Sequence, residues 1–255
     1  MSNASEFYVG ILLTALVNTI IAGVALMFFV FLARRWATLQ DDMRAYGLFY
    51  LITAAAWFWI ATRYIIVGVG YEGAWVTRIS QITQTLLVFT GPPLLYYAGR
   101  RLFNKSVIAK ALAFLSFGAA SVSVYFLLQP WGIGVPRIEF FSADAPINAL
   151  SLRIFISEVA LIAIMLFFDL ASRLYAWSQS KDTKVLYTAL YSFGVLVYVA
   201  IGGIDQMKLL TGGFLVVFRT LYAAAFLFTY VIIVKREALE ESYFTVEEES
   251  QSTAE

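Results

Sequence analysis

Two residue types that carry much of protein chemistry are missing from this chain, which has no cysteine and no histidine. Without cysteine there is no disulfide framework, thiolate metal site or thiol nucleophile. Without an imidazole, histidine-ligated haem, histidine metal centres, Ser-His-Asp hydrolysis and histidine proton relays are excluded. Charge is scarce too, at 14% of 255 residues, whereas 61% are hydrophobic. Soluble domains lie nearer half apolar and a quarter charged, so the balance predicts an integral membrane protein. A net charge of +1 and the lack of a basic patch with interleaved aromatics leave no footprint for nucleic acid. The opening MSNASE has no positive charge, so the first apolar run reads as a retained signal-anchor helix, not a cleaved signal peptide.

What is present is a series of long apolar runs. A membrane-spanning helix needs about 20 mostly apolar residues. Seven segments reach that length: Phe7–Leu32, Ala45–Val69, Ile79–Ala98, Val107–Leu128, Leu150–Leu170, Val185–Ile204 and Gly213–Val234. Continuous apolarity, without the alternation of a membrane strand, makes them helices. The expected fold is therefore all-α, a polytopic bundle of seven transmembrane helices over residues 1–236. Residues 237–255 form a short acidic tail, expected to be disordered beyond a helical turn or two. The long connection Gln129–Asn148 holds three of the five prolines and is expected to be an irregular lid or short hairpin.

Lys and Arg in the short loops set the orientation. One side gathers Arg34, Arg35, Arg44, Arg100, Arg101, Lys105, Lys110, Arg173, Lys181, Lys184, Lys235 and Arg236; the other has Arg78, Arg137, Arg153 and Lys208. The N-terminus is thus expected outside and the C-terminus in the cytoplasm, in the plasma membrane.

Within the apolar runs, polar residues gather at one depth. At 1.5 Å rise per residue, Arg219 lies about 24 Å above Lys235, Asn18 about 24 Å above Arg34 and Gln84 about 24 Å above Arg100. Glu158 and Tyr125 come about 22 Å above Arg173 and Lys110, and Tyr198 about 21 Å above Lys184. Glu158 is too short to reach water easily, so it should be paired, protonated or facing a wet cavity. An ion pair between Glu158 and Arg219 is expected, with Gln84 and Asn18 completing the network. Such a layer is either interhelical bonding that holds the bundle together or the lining of an outward-facing pocket for a small polar or anionic ligand, or of an ion path. Pro92 and Pro93 must interrupt the third helix, as a hinge or as a packing device. Arg63 falls near the headgroups, Asp169 and Arg173 form an i,i+4 pair, and Asp205 and Lys208 are read as partners in a turn.

Several stretches carry a resemblance: EFYVGILLTAL opening the first helix, KVLYTALYSFGVLVYVAIG in the sixth, and VIIVKRE closing the seventh. In these and in its layout the chain resembles the microbial rhodopsins. That family binds retinal through a lysine midway along the seventh helix, where this chain has AAAFLFTY, Ala223 to Tyr230. The third helix, ISQITQTLLVFTGPPLL, also lacks the family's carboxylate. The resemblance then implies no covalent cofactor, leaving a non-covalent pigment or lipid. A second stretch, DDMRAYGLFYLITAAAW followed by TGPPLLYYAGRRLFNK, resembles the membrane portion of bacterial seven-helix sensors. It implies signalling through a partner.

The functional expectation is a receptor-like sensor with an outward-facing polar pocket, signalling through a cytoplasmic or membrane partner. A scaffold or complex subunit and a small-solute or ion transporter are the alternatives. Catalysis is not expected: Glu158 and Asp169 lie about 16 Å apart along one helix, too far to act on one bond.

Overall fold

The computed structural model describes residues 4–71, 73–135, 137–207 and 212–252, with side chains described within 9–235. Its long elements are all helices: α1 (Ala4–Ala33), α2 (Asp41–Gly68), α3 (Ala74–Val88), α4 (Gly91–Phe103), α5 (Ser106–Leu127), α6 (Ala149–Ser180), α7 (Thr183–Gln206) and α8 (Gly213–Ser252). A small hairpin, β1 (Arg137–Ile138) with β2 (Ala143–Asp144), interrupts the series between α5 and α6. Six helices, α1, α2, α5, α6, α7 and α8, are long and apolar enough to cross a membrane. They suit an integral membrane protein in contact with a lipid bilayer. α8 runs as helix to Ser252, well past the turn or two expected for the tail.

The expected third span differs. It is two helices set end to end, α3 of 15 residues and α4 of 13, each too short to span alone. Pro92 and Pro93 cause the break, because neither has the N–H that would bond back to the carbonyls of Val88 and Phe89. The chain crosses the gap through a tightened turn, with Thr90 N donating to Leu87 O at 3.2 Å.

A column of aromatic rings fills the centre of the bundle. Tyr222 packs edge-on against Trp57 at 4.8 Å, and Tyr198 stacks on Phe226 at 4.3 Å. Further along, Tyr50 meets Phe226 at 4.9 Å and Tyr46 meets Tyr97 at 4.8 Å. The Tyr46 and Tyr50 hydroxyls hydrogen-bond to each other at 2.8 Å, which satisfies two polar groups that burial would otherwise penalise. At the foot of the column Arg101 lies over the rings of Tyr97 and Tyr191, 4.0 Å from Asp42. By contrast, α5 turns Phe114, Leu115 and Tyr125 outward, as a lipid-facing helix would.

The hairpin caps the other end. Its register pairs Arg137 with Asp144 and Ile138 with Ala143, and Glu139 and Ser142 close the turn. Ala143 is fully buried, so the hairpin lies down on the helices and does not project from them. It seats on α1, where Thr14 donates to the Phe141 carbonyl at 3.0 Å and Phe140 lies directly over Gly10. A Cβ at Gly10 would overlap the Phe140 carbonyl and ring. Gly10→Ala should therefore cost about 1–3 kcal/mol, as overpacking does, and should hasten proteolysis within residues 129–148. Gly23→Ala, where a Cβ meets nothing within 4 Å, should leave both unchanged; equal behaviour of the two variants would contradict this seating.

Candidate functional site

Beneath the hairpin, four charged side chains meet. α2 supplies Arg63, α8 supplies Arg219, α7 supplies Asp205 and the hairpin supplies Asp144. Arg63 is 3% exposed and Arg219 is 4% exposed, a depth at which a guanidinium needs compensation. Asp144 provides it for both. Its Oδ1 accepts from Arg63 Nη2 at 2.5 Å, and its Oδ2 accepts from Arg219 Nη2 at 3.2 Å. Arg219 also donates from Nη1 to the Tyr64 hydroxyl at 2.8 Å, and that hydroxyl donates to Asp144 Oδ2 at 3.3 Å. Asp205 lies 3.6 Å from Arg219 Nε and accepts from the Tyr222 hydroxyl at 3.4 Å. Arg63 donates from its other terminal nitrogen, Nη1, to Ser80 at 3.1 Å, and its Nε has no hydrogen-bond partner among the described residues. Two positive and two negative charges are thereby balanced within one buried cluster.

Below the cluster is a cavity of about 70 Å³, lined by residues that include Arg63, Asp144, Arg219, Gln84, Glu158 and Tyr198. It is roomy enough to hold water. Two of its lining residues, Thr83 and Glu158, each hold a polar atom, Oγ1 and Oε2, that is buried without a hydrogen-bond partner among the described residues.

The residues expected to form one layer separate into three sets. Arg219, Glu158, Gln84 and Tyr198 share the cavity. Asn18 is fully buried in α1 and is not among the cavity's lining residues, and neither end of its amide has a partner among the described residues. Tyr125 is 63% exposed on the outer face of α5 and does not reach the site. The expected Glu158–Arg219 ion pair is replaced by other contacts: Arg219 pairs with Asp144 and Asp205, and Glu158 Oε1 accepts from Ser116 Oγ at 2.8 Å. Asp205 pairs inward with Arg219; Lys208, its expected partner, lies outside the described residues. Asp169 does pair with Arg173, at 2.8 Å, and also accepts from Ser192 at 2.6 Å.

Sequence reasoning missed Asp144 and set Arg63 aside as a headgroup residue. The signal for Arg63 was available. The same helical ruler puts it about 28 Å above Arg44, within about one turn of the Arg219 height. Two arginines at nearly one level call for acidic partners there.

Comparisons with protein-family models, with curated proteins and with solved structures find no match. The likeness to microbial rhodopsins thus remains one of layout, with no family evidence behind it.

Removing one partner of a buried pair costs about 3–5 kcal/mol, and Arg219→Ala should fall in that range. In a double-mutant cycle, Arg219→Ala and Asp144→Ala should couple by about 1 kcal/mol or more, while Arg219→Ala and Glu158→Gln should add to within about 0.5 kcal/mol. Unfolding in a bilayer mimetic reads both. Coupling to Glu158 and none to Asp144 would reverse the assignment made here.

Proposed function

We propose that this is a seven-helix, receptor-like sensor of the plasma membrane, in which α3 and α4 together make one crossing. The charge bias of the loops supports an N-terminus and hairpin outside, with α8 carrying the chain into the cytoplasm. In this reading Asp144 is a built-in occupant of a two-arginine clamp. Arg63 and Arg219 each take one oxygen of the same carboxylate, which is how guanidinium pairs recognise carboxylates and other small oxyanions. A small anion from outside that displaced Asp144 would unseat the hairpin from α1. The aromatic column supplies a packed route from Tyr222 down to Arg101 and Asp42, where a cytoplasmic or membrane partner would read the change. Pro92 and Pro93 serve as the hinge. No covalent cofactor takes part.

The observation that carries this reading is the single lid carboxylate shared by two buried arginines. The break between α3 and α4 beside the cavity favours transport as a second reading, because interrupted helices commonly line transporter sites. Chemical rescue tests the clamp. Asp144→Ala in nanodiscs should unfold at a lower temperature than the natural chain, by about 3 kcal/mol of lost stability, the low end for a broken buried pair. Acetate should restore the loss saturably, and chloride at equal ionic strength should not. If acetate and chloride act alike, the clamp does not take an external anion and the arginines serve only to hold the hairpin. Acetate flux into liposomes carrying the protein would favour transport over sensing.

A further inference from the structure

A groove of about 520 Å³ runs over the outer surface of the bundle between α2, α4 and α5, and every side chain that lines it is aliphatic or aromatic. Leu48 and Ile52 form its α2 wall, and Phe114 and Phe117 form its α5 wall. Leu48, Phe114 and Phe117 are exposed whereas Pro92 is buried, so α4 lies at the bottom of the groove between its two neighbours. An exposed apolar surface of this kind belongs against acyl chains, not water.

The groove has a basic foot. Arg100 follows Tyr96 on α4 by four residues, and Lys110 precedes Phe114 on α5 by four, so each cation lies about one turn beyond the groove on the helix face that lines it. The two helices touch just there: a Cβ added at Gly99 would lie 3.2 Å from the Ala109 Cα. That contact brings Arg100 and Lys110, the next residue on each helix, to one level. From Gly91 to Leu127 the chain has four basic residues, Arg100, Arg101, Lys105 and Lys110, and no acidic one. Arg101 turns inward over Tyr97 and Tyr191. Arg44, one turn from Leu48, is already engaged by the carbonyls of Trp36 and Ala37 and by Asp41. Lys110 is exposed and Arg100 half-buried, and neither forms an ion pair with a described residue. From Arg100 the groove leads away along α4 to Pro92, about 12 Å at 1.5 Å per residue. An apolar trough that ends at two uncompensated cations matches an acyl chain joined to a phosphate.

We propose that this groove binds one anionic phospholipid, with an acyl chain along Leu48, Tyr96 and Phe114 and the phosphate between Arg100 and Lys110. An anionic headgroup suits the foot better than a choline one, which would bring a further cation to a surface that has no acid to receive it. Phe89, Pro92 and Pro93, the residues of the α3–α4 break, also line the groove, so the bound chain would touch both halves of the broken segment. The site requires only that the bundle sit in a bilayer. It depends neither on the anion clamp nor on which end faces the cytoplasm.

Thermal unfolding of the full chain tests this in phosphatidylcholine nanodiscs that contain a rising share of phosphatidylglycerol at constant ionic strength. Phosphatidylglycerol should raise the unfolding temperature saturably, by a few degrees. Arg100→Gln combined with Lys110→Gln should abolish that increment. Lys181→Gln combined with Lys235→Gln, which removes the same charge from exposed positions outside the groove, should keep it. Ala113→Phe fills the groove without changing charge and should raise the half-saturating share of phosphatidylglycerol several-fold; Leu48→Trp, from the opposite wall, should do the same. A natural chain that does not distinguish the two lipids overturns the proposal. Equal losses in the two paired variants also overturn it, because the lipid would then be drawn to a basic surface at large. If both groove-filling variants respond like the natural chain, the headgroup alone makes the contact and the groove holds no acyl chain. If they instead turn a dimer into a monomer and leave the lipid response intact, the groove is a contact between copies of the chain, and the lipid assignment fails.

Discussion

Two guanidinium groups enter an apolar bundle from different helices and end on one carboxylate. Without Asp144, Arg63 would lose its ion-pair partner and Arg219 would keep Asp205 alone. With it, the charges cancel and the hairpin is held at the top of the bundle. The rest of that end follows from this contact. The Tyr64 hydroxyl fits between Arg219 and Asp144 because it can accept from one and donate to the other. Ala143, beside Asp144, is fully buried, and Phe140 and Phe141 reach α1. A loop that sequence alone leaves irregular becomes a lid through one residue.

Below the lid the bundle changes character. Polar groups give way to packed aromatic rings, mostly edge to face, and such pairs contribute about 0.5–1.5 kcal/mol each beyond the area they bury. The column joins the upper ionic cluster to a second one at the opposite end, where Arg101 meets Tyr97, Tyr191 and Asp42. In the proposed sensing role, this column is the route by which a change in packing would pass from one charged end to the other. The α3–α4 break interrupts the helical hydrogen-bond ladder, and Glu158 sits against it.

Much of the architecture was legible in the sequence because the membrane demands it. Length and unbroken apolarity marked α1, α2, α5, α6, α7 and α8. The third segment is less apolar, with Gln81, Gln84 and three threonines, and its paired prolines divide it into two shorter helices. At the site, a helical ruler recovers depth without direction. It brought Arg219, Glu158, Gln84 and Tyr198 to one level, and these do share a cavity. It brought Tyr125 and Asn18 to the same level as well, yet one points to the outside of α5 and the other is buried in α1 away from that cavity. Each residue along a helix turns by about 100°, so a shift of one position redirects a side chain entirely. The decisive partner, Asp144, lay beyond such reasoning because it comes from a loop whose path depends on the contacts it makes.

Hydrogen exchange across residues 137–145, with the natural chain and Asp144→Asn compared in nanodiscs, bears most directly on the claim that this carboxylate holds the lid. The account predicts slow exchange in the natural chain. In the variant it predicts exchange faster by about tenfold or more in the hairpin, the change that a loss of roughly 1.4 kcal/mol in local stability produces, with α2 and α8 unaltered below the site. A hairpin that already exchanges freely in the natural chain, or one indifferent to the loss of the charge, would show that Asp144 is not what holds it.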